Sequence, residues 1–202
     1  KLISDVSTLD SLEILKNTTV VGIYSDYVVT TLSGDTYKKY HAKSIIIATG
    51  ASEKFLPFEG NDLPGVYGAG AVQTLMNLYG VLPGKEVVMI GSGNIGLIVS
   101  YQLLQAGVKV KAIIEASKHI GGYKVHASKI RRLGIPIYTQ TTVKRAIGQD
   151  HIEHVELVKL DDQWKPIEGS EHILSLDALC ISVGLSPMHQ LISMIGAKTK
   201  YI

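Results

Sequence analysis

The stretch that decides the fold runs from Lys85 to Glu115. It reads Lys85-Glu86-Val87-Val88-Met89-Ile90, then Gly91-Ser92-Gly93-Asn94-Ile95-Gly96, then an apolar run to Gln105, and then Gly107-Val108-Lys109-Val110-Lys111-Ala112-Ile113-Ile114-Glu115. A Gly-x-Gly-x-x-Gly pattern alone carries little weight, because glycine is common and the pattern short. Here its surroundings are in register. A buried-strand run (Val87 to Ile90) enters it, and a helix-like segment (Ile95 to Ala106) leaves it. A second strand follows and ends in an acid about two dozen residues after Gly91. Strand, glycine turn, helix, strand and terminal acid together form the dinucleotide-binding fingerprint.

Each part has a physical task. Gly91 permits the tight turn out of the strand. Gly93 has no side chain, so a pyrophosphate can approach the backbone there, and Gly96 lets the helix lie close to the sheet. Unpaired amides at the helix start, with the helix dipole, favour phosphate. Ser92, Asn94 and Ile95 complete the turn. Glu115 is placed to accept hydrogen bonds from both hydroxyls of an adenosine ribose and to repel a 2′-phosphate, so NAD(H) is expected over NADP(H). Lys118 and His119, just beyond it, work slightly against that preference.

Outward from this stretch, the pattern predicts a helix over residues 4–16, with Leu9, Leu12 and Leu15 at helical spacing. Three strands follow, at Thr18 to Tyr24, Tyr27 to Leu32 and Thr36 to His41, as a meander. Ser44-Ile45-Ile46-Ile47-Ala48-Thr49-Gly50 reads as a parallel-sheet strand buried on both faces and ending in small residues. A Gly/Pro-punctuated connector runs from Ala51 to Gly65. Gly68 to Tyr79 reads as a helix with Val72, Leu75, Met76 and Tyr79 on one face. After Glu115 come a Gly121-Gly122 loop, a helix at about 124–133 stopped by Gly134, and a strand at 135–138. Two strands around Gly148-Gln149-Asp150 and a third near His172 form an inserted meander. Asp177 to Gly184 is again a buried strand, Leu185-Ser186-Pro187 turns the chain away, and Met188 to Ile195 reads as a helix. The fold class is α/β: a Rossmann-like parallel sheet with an inserted antiparallel meander, plus a β-rich segment.

The 202 residues, 46% hydrophobic, suffice for one substantial core and parts of a second. The net charge of +2 gives no reason to expect nucleic acid or an anionic membrane. The densest basic cluster, Lys129 with Arg131 and Arg132, fits the wet face of a helix. No apolar run has the length of a membrane span. The single cysteine, Cys180, excludes an intrachain disulfide and suits a reducing, cytoplasmic setting. The chain starts and stops mid-pattern, and a fragment is expected.

The ordered set of Ala48-Thr49-Gly50, the connector, the Gly91 to Glu115 fingerprint, the inserted meander and Val183-Gly184-Leu185-Ser186-Pro187 resembles the two-dinucleotide-binding-domain flavoproteins, the pyridine-nucleotide oxidoreductase superfamily, in which an NAD(P)H domain is inserted into an FAD domain. Within it, Val81-Leu82-Pro83-Gly84-Lys85, Gly121-Gly122-Tyr123-Lys124-Val125-His126-Ala127, Arg131-Arg132-Leu133-Gly134 and Gly184-Leu185-Ser186-Pro187-Met188 are similar to the α subunits of heteromeric amine- and amino-acid-oxidising flavoenzymes: sarcosine oxidase, dye-linked proline dehydrogenase, opine oxidase and hydrogen cyanide synthase. The resemblance implies that residues 1–56 are part of an FAD domain, 57–183 an NAD(H) domain, and 184–202 the start of a return into the FAD domain. It implies that Thr49 and Gly50 border a flavin in the intact protein, that Gly184 lies near the nicotinamide, and that an amine-oxidising subunit is a partner.

The sequence departs from the family in lacking the first, FAD-binding glycine turn and the segment that closes over the flavin, so retention of FAD by these residues is not expected. No Cys-x-x-Cys occurs, and Cys180 falls in a strand where an inert core thiol is the plain reading. His151 and His154 face opposite sides of a strand, so no metal site is assigned. Tyr123 and His126 follow the Gly121-Gly122 loop and read as a solvated helix start or as contacts to adenine or a partner. Hydride transfer between nicotinamide and flavin needs no protein acid or base, and no catalytic residue is assigned. Two other readings stand beside this one: a non-catalytic NAD-binding subunit with a structural or regulatory role, and an unrelated doubly wound protein such as a methyltransferase, against which the Ala48-Thr49-Gly50 stretch and the inserted meander argue.

Overall fold

The structure is a computed structural model that describes residues 2–200, with side chains from Ser4 onward. It divides into two compact units, one made of the residues up to Ala51 with those from Pro187, the other of Ser52–Ser186.

The smaller unit holds α1 (Leu2–Ser7) and an antiparallel meander of β1 (Thr19–Ile23), β2 (Val28–Ser33) and β3 (Thr36–His41), in the order β1-β2-β3. Strand-forming runs separated by short turns fold this way because each hairpin closes few residues. Two expectations fail here. The helix predicted over residues 4–16 stops at Ser7. Leu9, Leu12 and Leu15 are all exposed, so its downstream turns bury no face, and short helices without a buried face do not persist. Residues 44–50 belong to no strand, and Ile46 is 93% exposed. A strand buried on both faces needs a neighbour on each edge. Among the described residues its hydrogen bonds lie only at its end: Thr49 Oγ1 donates to Met188 O at 3.0 Å, and Met188 N donates to Gly50 O at 3.0 Å.

The larger unit is entered through β4 (Ala51–Glu53) and left through β13 (Leu185–Pro187). So Leu185-Ser186-Pro187, expected as a turn, is a short strand. The centre of this unit is a five-stranded parallel sheet of β5 (Val66–Gly68), β6 (Glu86–Ile90), β7 (Lys109–Ile114), β8 (Ile137–Tyr138) and β12 (Ala178–Ile181), in the order β5-β12-β6-β7-β8. Strand β5 falls just after the expected connector, which ends at Gly65, and runs into the first residue of the expected helix, Gly68. Three helices connect the strands: α2 (Ala69–Tyr79), α3 (Asn94–Gln105) and α4 (Lys124–Arg132). An antiparallel meander of β9 (Thr141–Gly148), β10 (Ile152–Lys159) and β11 (His172–Ser175) is inserted between β8 and β12. A short α5 (Gln190–Met194) lies in the smaller unit.

Strand periodicity sorts the core into two layers. Val87 and Met89 of β6 and Cys180 of β12 face the helices, where Val72, Leu97, Leu103 and Ile130 are buried. Val88 and Ile90 of β6 and Leu179 and Ile181 of β12 face the meander, where Ile152, Val155 and Leu157 are buried. The sheet is thus sandwiched between helices and a β layer, and its strands read as continuous apolar runs because neither face meets water. In β7 a bulge opposite the Val87–Val88 step sets Lys111 apart, and its ammonium reaches Glu86 at 3.0 Å and Ser175 Oγ at 2.8 Å. The helix expected at 68–79 is present, with Val72 buried, but Tyr79 is 67% exposed rather than on the packed face. Gly80, at φ 65°, closes it in the left-handed conformation. The return of β12 to the side of β6 is fixed by Asp177, whose carboxylate accepts from the Lys85 amide at 2.9 Å and the Glu86 amide at 2.8 Å. Among the described residues no helix is long and apolar enough to cross a membrane.

A candidate nucleotide-binding cleft

The order β12-β6-β7 sets the site. From β6 the chain crosses through α3 to β7 on one side, while β12, from far along the sequence, lies on the other. At such a switch point the loops leave the carboxyl ends of the strands in opposite directions and open a crevice. A cleft of about 950 Å³ lies there, wholly within the larger unit.

The glycine turn forms its floor. Gly91, at φ 102°, is packed so closely that a Cβ there would stand 2.1 Å from Ser182 O. A Cβ on Gly96 would stand 2.2 Å from Gly91 O, so α3 rests directly on the turn. Gly93 is different. A Cβ there would meet nothing within 4 Å, because its open side is the cleft. Side-chain-free backbone faces the space where a phosphate would sit, and the first amides of α3 lack carbonyls of a preceding helical turn. Gly91, Gly93, Asn94, Ile95 and Glu115 all line the cleft, as does Gly184 on the β12 side. Ser92 does not line it.

Ser92 is fully buried and acts on Glu115. Its amide donates to Glu115 Oε2 at 2.9 Å, its hydroxyl donates to the same oxygen, and the Ser117 amide donates to Oε1 at 2.8 Å. The Ser92 hydroxyl oxygen in turn accepts from the Gly121 amide at 3.1 Å. Gly122 N donates to Ser92 O at 2.8 Å, and Tyr123 N to Asn94 Oδ1 at 2.8 Å. The Gly121-Gly122 loop is thereby latched to the glycine turn, and a Cβ on Gly122 would crowd a Leu97 methyl at 2.6 Å and the backbone of Gly93 and Asn94 at 3.0 Å. The result is a carboxylate held in the lining of the cleft, with three of its roughly four acceptor sites taken and one left on Oε1. Tyr123 and His126 form a tilted ring pair at 6.3 Å and take no part in the lining.

Thr49 and Gly50 belong to the smaller unit. Other cleft residues were not marked by the sequence. Thr141, Thr142, Leu160, Trp164 and Pro166 come from the inserted meander, Glu53 from the entry strand β4, and Leu56 from the loop after it. Glu53 Oε1 accepts from the Gly70 amide at 2.7 Å, at the start of α2. Its only signal in sequence was an acid just after a small-residue stretch. Cys180 is fully buried. Burial, with the Glu53 carboxylate adding to it, pushes its thiol up to about 12, so at neutral pH it is a protonated core group and no nucleophile.

Comparison with known proteins agrees with this geometry. A profile of the pyridine nucleotide-disulphide oxidoreductases matches residues 5–202. The chain belongs to the pyridine nucleotide-disulphide oxidoreductase family. It is 30% identical over 158 residues to the alpha subunit of the sarcosine oxidase of Rhizobium meliloti (strain 1021), a match covering 78% of this chain and 14% of that one. It is 30% identical over 125 residues to one subunit of the opine oxidase of the same organism, covering 52% of this chain and 27% of the relative. Among solved structures, the thioredoxin reductase of T. acidophilum superposes with a TM-score of 0.77 at 25% identity, over 98% of this chain and 62% of that one. The L-proline dehydrogenase of P. horikoshii shares the fold, with a TM-score of 0.57 at 24% identity over 92% of this chain and 31% of that one. The chain spans less than half the length of these curated relatives. The family is one of oxidoreductases that use flavin and pyridine nucleotide. With Cys180 as the one cysteine, these 202 residues hold no redox dithiol.

Proposed function

We propose that this chain is the NAD(H)-binding portion of a FAD-dependent oxidoreductase, and that the whole protein passes a hydride or electrons between nicotinamide and flavin as one subunit of an amine or amino-acid dehydrogenase or oxidase. The observation that carries the reading is Glu115. It is a carboxylate at the end of β7, in the lining of a cleft floored by the Gly91–Gly96 turn. In this reading the amides at the start of α3 bind the pyrophosphate and bare Gly93 lets it approach. Glu115 accepts from a ribose hydroxyl at the site left on Oε1, held in place by Ser92 and the Ser117 amide. When bound, the nicotinamide and the flavin supply the redox chemistry between them. The protein contributes position: Gly184 and Ser182 line the cleft after β12, on the other side of β6 from Glu115 after β7, and a flat ring can lie against backbone there. Residues 57–183 are the NAD(H) domain, and residues 1–56 and 184–202 belong to the FAD domain, with Thr49 and Gly50 beside the flavin. The similarity to oxidase subunits supports an amine-oxidising partner chain.

Calorimetry tests the site. NADH is expected to bind at least about 10-fold more tightly than NADPH, because a 2′-phosphate beside a fixed carboxylate loses hydrogen bonds and meets like charge. Glu115→Ala should erase that ratio. Equal affinity of the unsubstituted chain for the two would sink the role given to Glu115. The purified 202-residue chain should be colourless, and stoichiometric flavin would refute the view that its FAD contacts are incomplete. For the full-length protein, tight NADH binding without NADH:dye reductase turnover would favour a structural nucleotide site over a catalytic one.

A further inference from the structure

We infer that Trp164 is the adenine platform of this cleft, held over the ribose end by a turn whose geometry is maintained at a conformational cost. The inference rests on the dinucleotide reading above and adds to it a residue that the glycine fingerprint does not contain.

Three observations converge. The first is position. Glu115 marks the ribose, and the glycine turn marks the phosphates, one strand nearer the centre of the sheet. The adenine must then continue past Glu115, in the direction of β8. The chain beyond β8 lies there: Gln140 N donates to Ser117 O at 3.0 Å, and Leu160 N donates to Gln140 O at 2.7 Å. Leu160 bridges Pro166, and Trp164 stands on the turn between them, lining the cleft with Pro166. The turn is tied to the loop after Glu115 a second time, through Lys118 Nζ to Asp162 Oδ1 at 2.7 Å.

The second observation is backbone conformation. Trp164 has φ 65°, the left-handed region. Trp164 N donates to Asp161 O at 3.1 Å and Asp161 N to Lys165 O at 2.9 Å, a three-residue hairpin loop whose last position is normally glycine or asparagine. A bulky residue there is disfavoured. The turn is built to tolerate it: Asp161 Oδ1 accepts from the amides of Gln163 at 2.8 Å and Lys165 at 2.9 Å. An outlier that the surrounding hydrogen bonds hold in place is where functional strain is found.

The third is exposure. Trp164 is the sole tryptophan of the chain, and it is 62% exposed. It is not filling a core. A large aromatic face left open at the rim of a nucleotide cleft suits stacking on a purine. The pair Lys118–Asp162 sharpens the consequence. The cation closest in sequence to Glu115 is already neutralised by a carboxylate of this turn, so it is withdrawn from any 2′-phosphate. The same turn that presents the platform therefore reinforces the preference for NAD(H).

Because Trp164 is the only indole, its fluorescence reads the site directly. ADP-ribose and NADH should quench it in the 202-residue chain, and nicotinamide mononucleotide should not. Trp164→Gly should raise the dissociation constant for NADH about 10-fold, measured by calorimetry, while its thermal midpoint stays level or rises, since glycine suits φ 65°. Trp164→Phe should keep most of the affinity. A residue with a merely structural role would give the opposite for the glycine variant: a lower midpoint and unchanged affinity. If NADH binds but ADP-ribose leaves the fluorescence unmoved and Trp164→Gly binds as before, the platform is refuted and the dinucleotide reading stands. If neither NADH nor ADP-ribose binds, both fall together.

Discussion

Two apolar runs ending in glycine, Val87-Val88-Met89-Ile90-Gly91 and Ile45-Ile46-Ile47-Ala48-Thr49-Gly50, have similar composition and opposite surroundings. The first is the middle of a five-stranded sheet, and Val87, Val88 and Met89 are fully buried. The second is in no strand, and Ile46 is 93% exposed. Side-chain hydrophobicity does not separate them. Neighbours do: β6 has β7 on one edge and β12 on the other, with Asp177 clamping β12 to its start. Residues 44–48 have no ladder partner among the described residues. A backbone whose amides and carbonyls have no ladder must stay where water can reach them. An apolar run therefore states what a segment would bury, and the availability of two edges decides whether it does.

The glycines that end the two runs give the sharpest contrast. Both have positive φ, 102° at Gly91 and 78° at Gly50. At Gly50 an added Cβ meets nothing within 4 Å, whereas at Gly91 it would lie 2.1 Å from Ser182 O. Gly50→Ala should cost only the left-handed penalty, about 1 kcal/mol. Gly91→Ala adds displacement of backbone and should cost about 4 kcal/mol. Urea unfolding of both variants checks the difference, and similar values would mean that the β6–β12 contact is looser than described. Gly93→Ala serves as the control, since its open side faces the cleft: stability should hold while NADH affinity falls.

The next contrast lies within the runs. Met89→Ala removes a side chain enclosed by the helical layer and should cost about 3 kcal/mol. Ile46→Ser removes one from water and should stay within about 0.5 kcal/mol in this chain. A loss at Ile46 approaching that at Met89 would show that the 44–50 stretch buries itself in solution after all.

These contrasts explain what the sequence made visible. The fingerprint, α3, α4, the inserted meander and β12 were legible because each carries its own signal: apolar runs, helical spacing, and glycines at Gly107, Gly134 and Gly148. The cleft residues Gly91, Gly93, Asn94, Ile95, Glu115 and Gly184 were legible for the same reason. Long-range relations were not. Strand β5 is three residues long and is defined by pairing with β12, far along the chain. The wall formed by Leu160, Trp164 and Pro166 went unseen because Trp164 occupies a turn position that glycine normally announces. Spacing assigns Ser92 to the ligand along with its neighbours. Its buried hydroxyl donates to Glu115, a contact that spacing alone does not show.

The smallest expected effect separates the two units by charge. Every ion pair among the described residues lies in the larger unit. The Lys109 and Lys111 ammoniums hold the Glu86 carboxyl below its ordinary range. Arg145, then Lys144, does so for Glu156, Lys144 for Glu171, and Lys118 for Asp162. The sign follows from proton uptake. Between the ordinary value of each carboxyl and its lowered folded value, the unfolded chain binds more protons than the folded one. The stabilisation is therefore complete above about pH 5 and is lost as pH falls through the folded values. Trp164 lies in the larger unit, so its fluorescence follows the unfolding of that unit. Its thermal midpoint should be level from about pH 7 to about pH 5 and then decline. Glu156→Gln, which removes the charge that Arg145 and Lys144 share, should start lower and decline less steeply. A midpoint that stays level to about pH 3, or a variant that declines in parallel with the unsubstituted chain, would show that these pairs are solvated surface contacts with no weight in the stability of the nucleotide-binding unit.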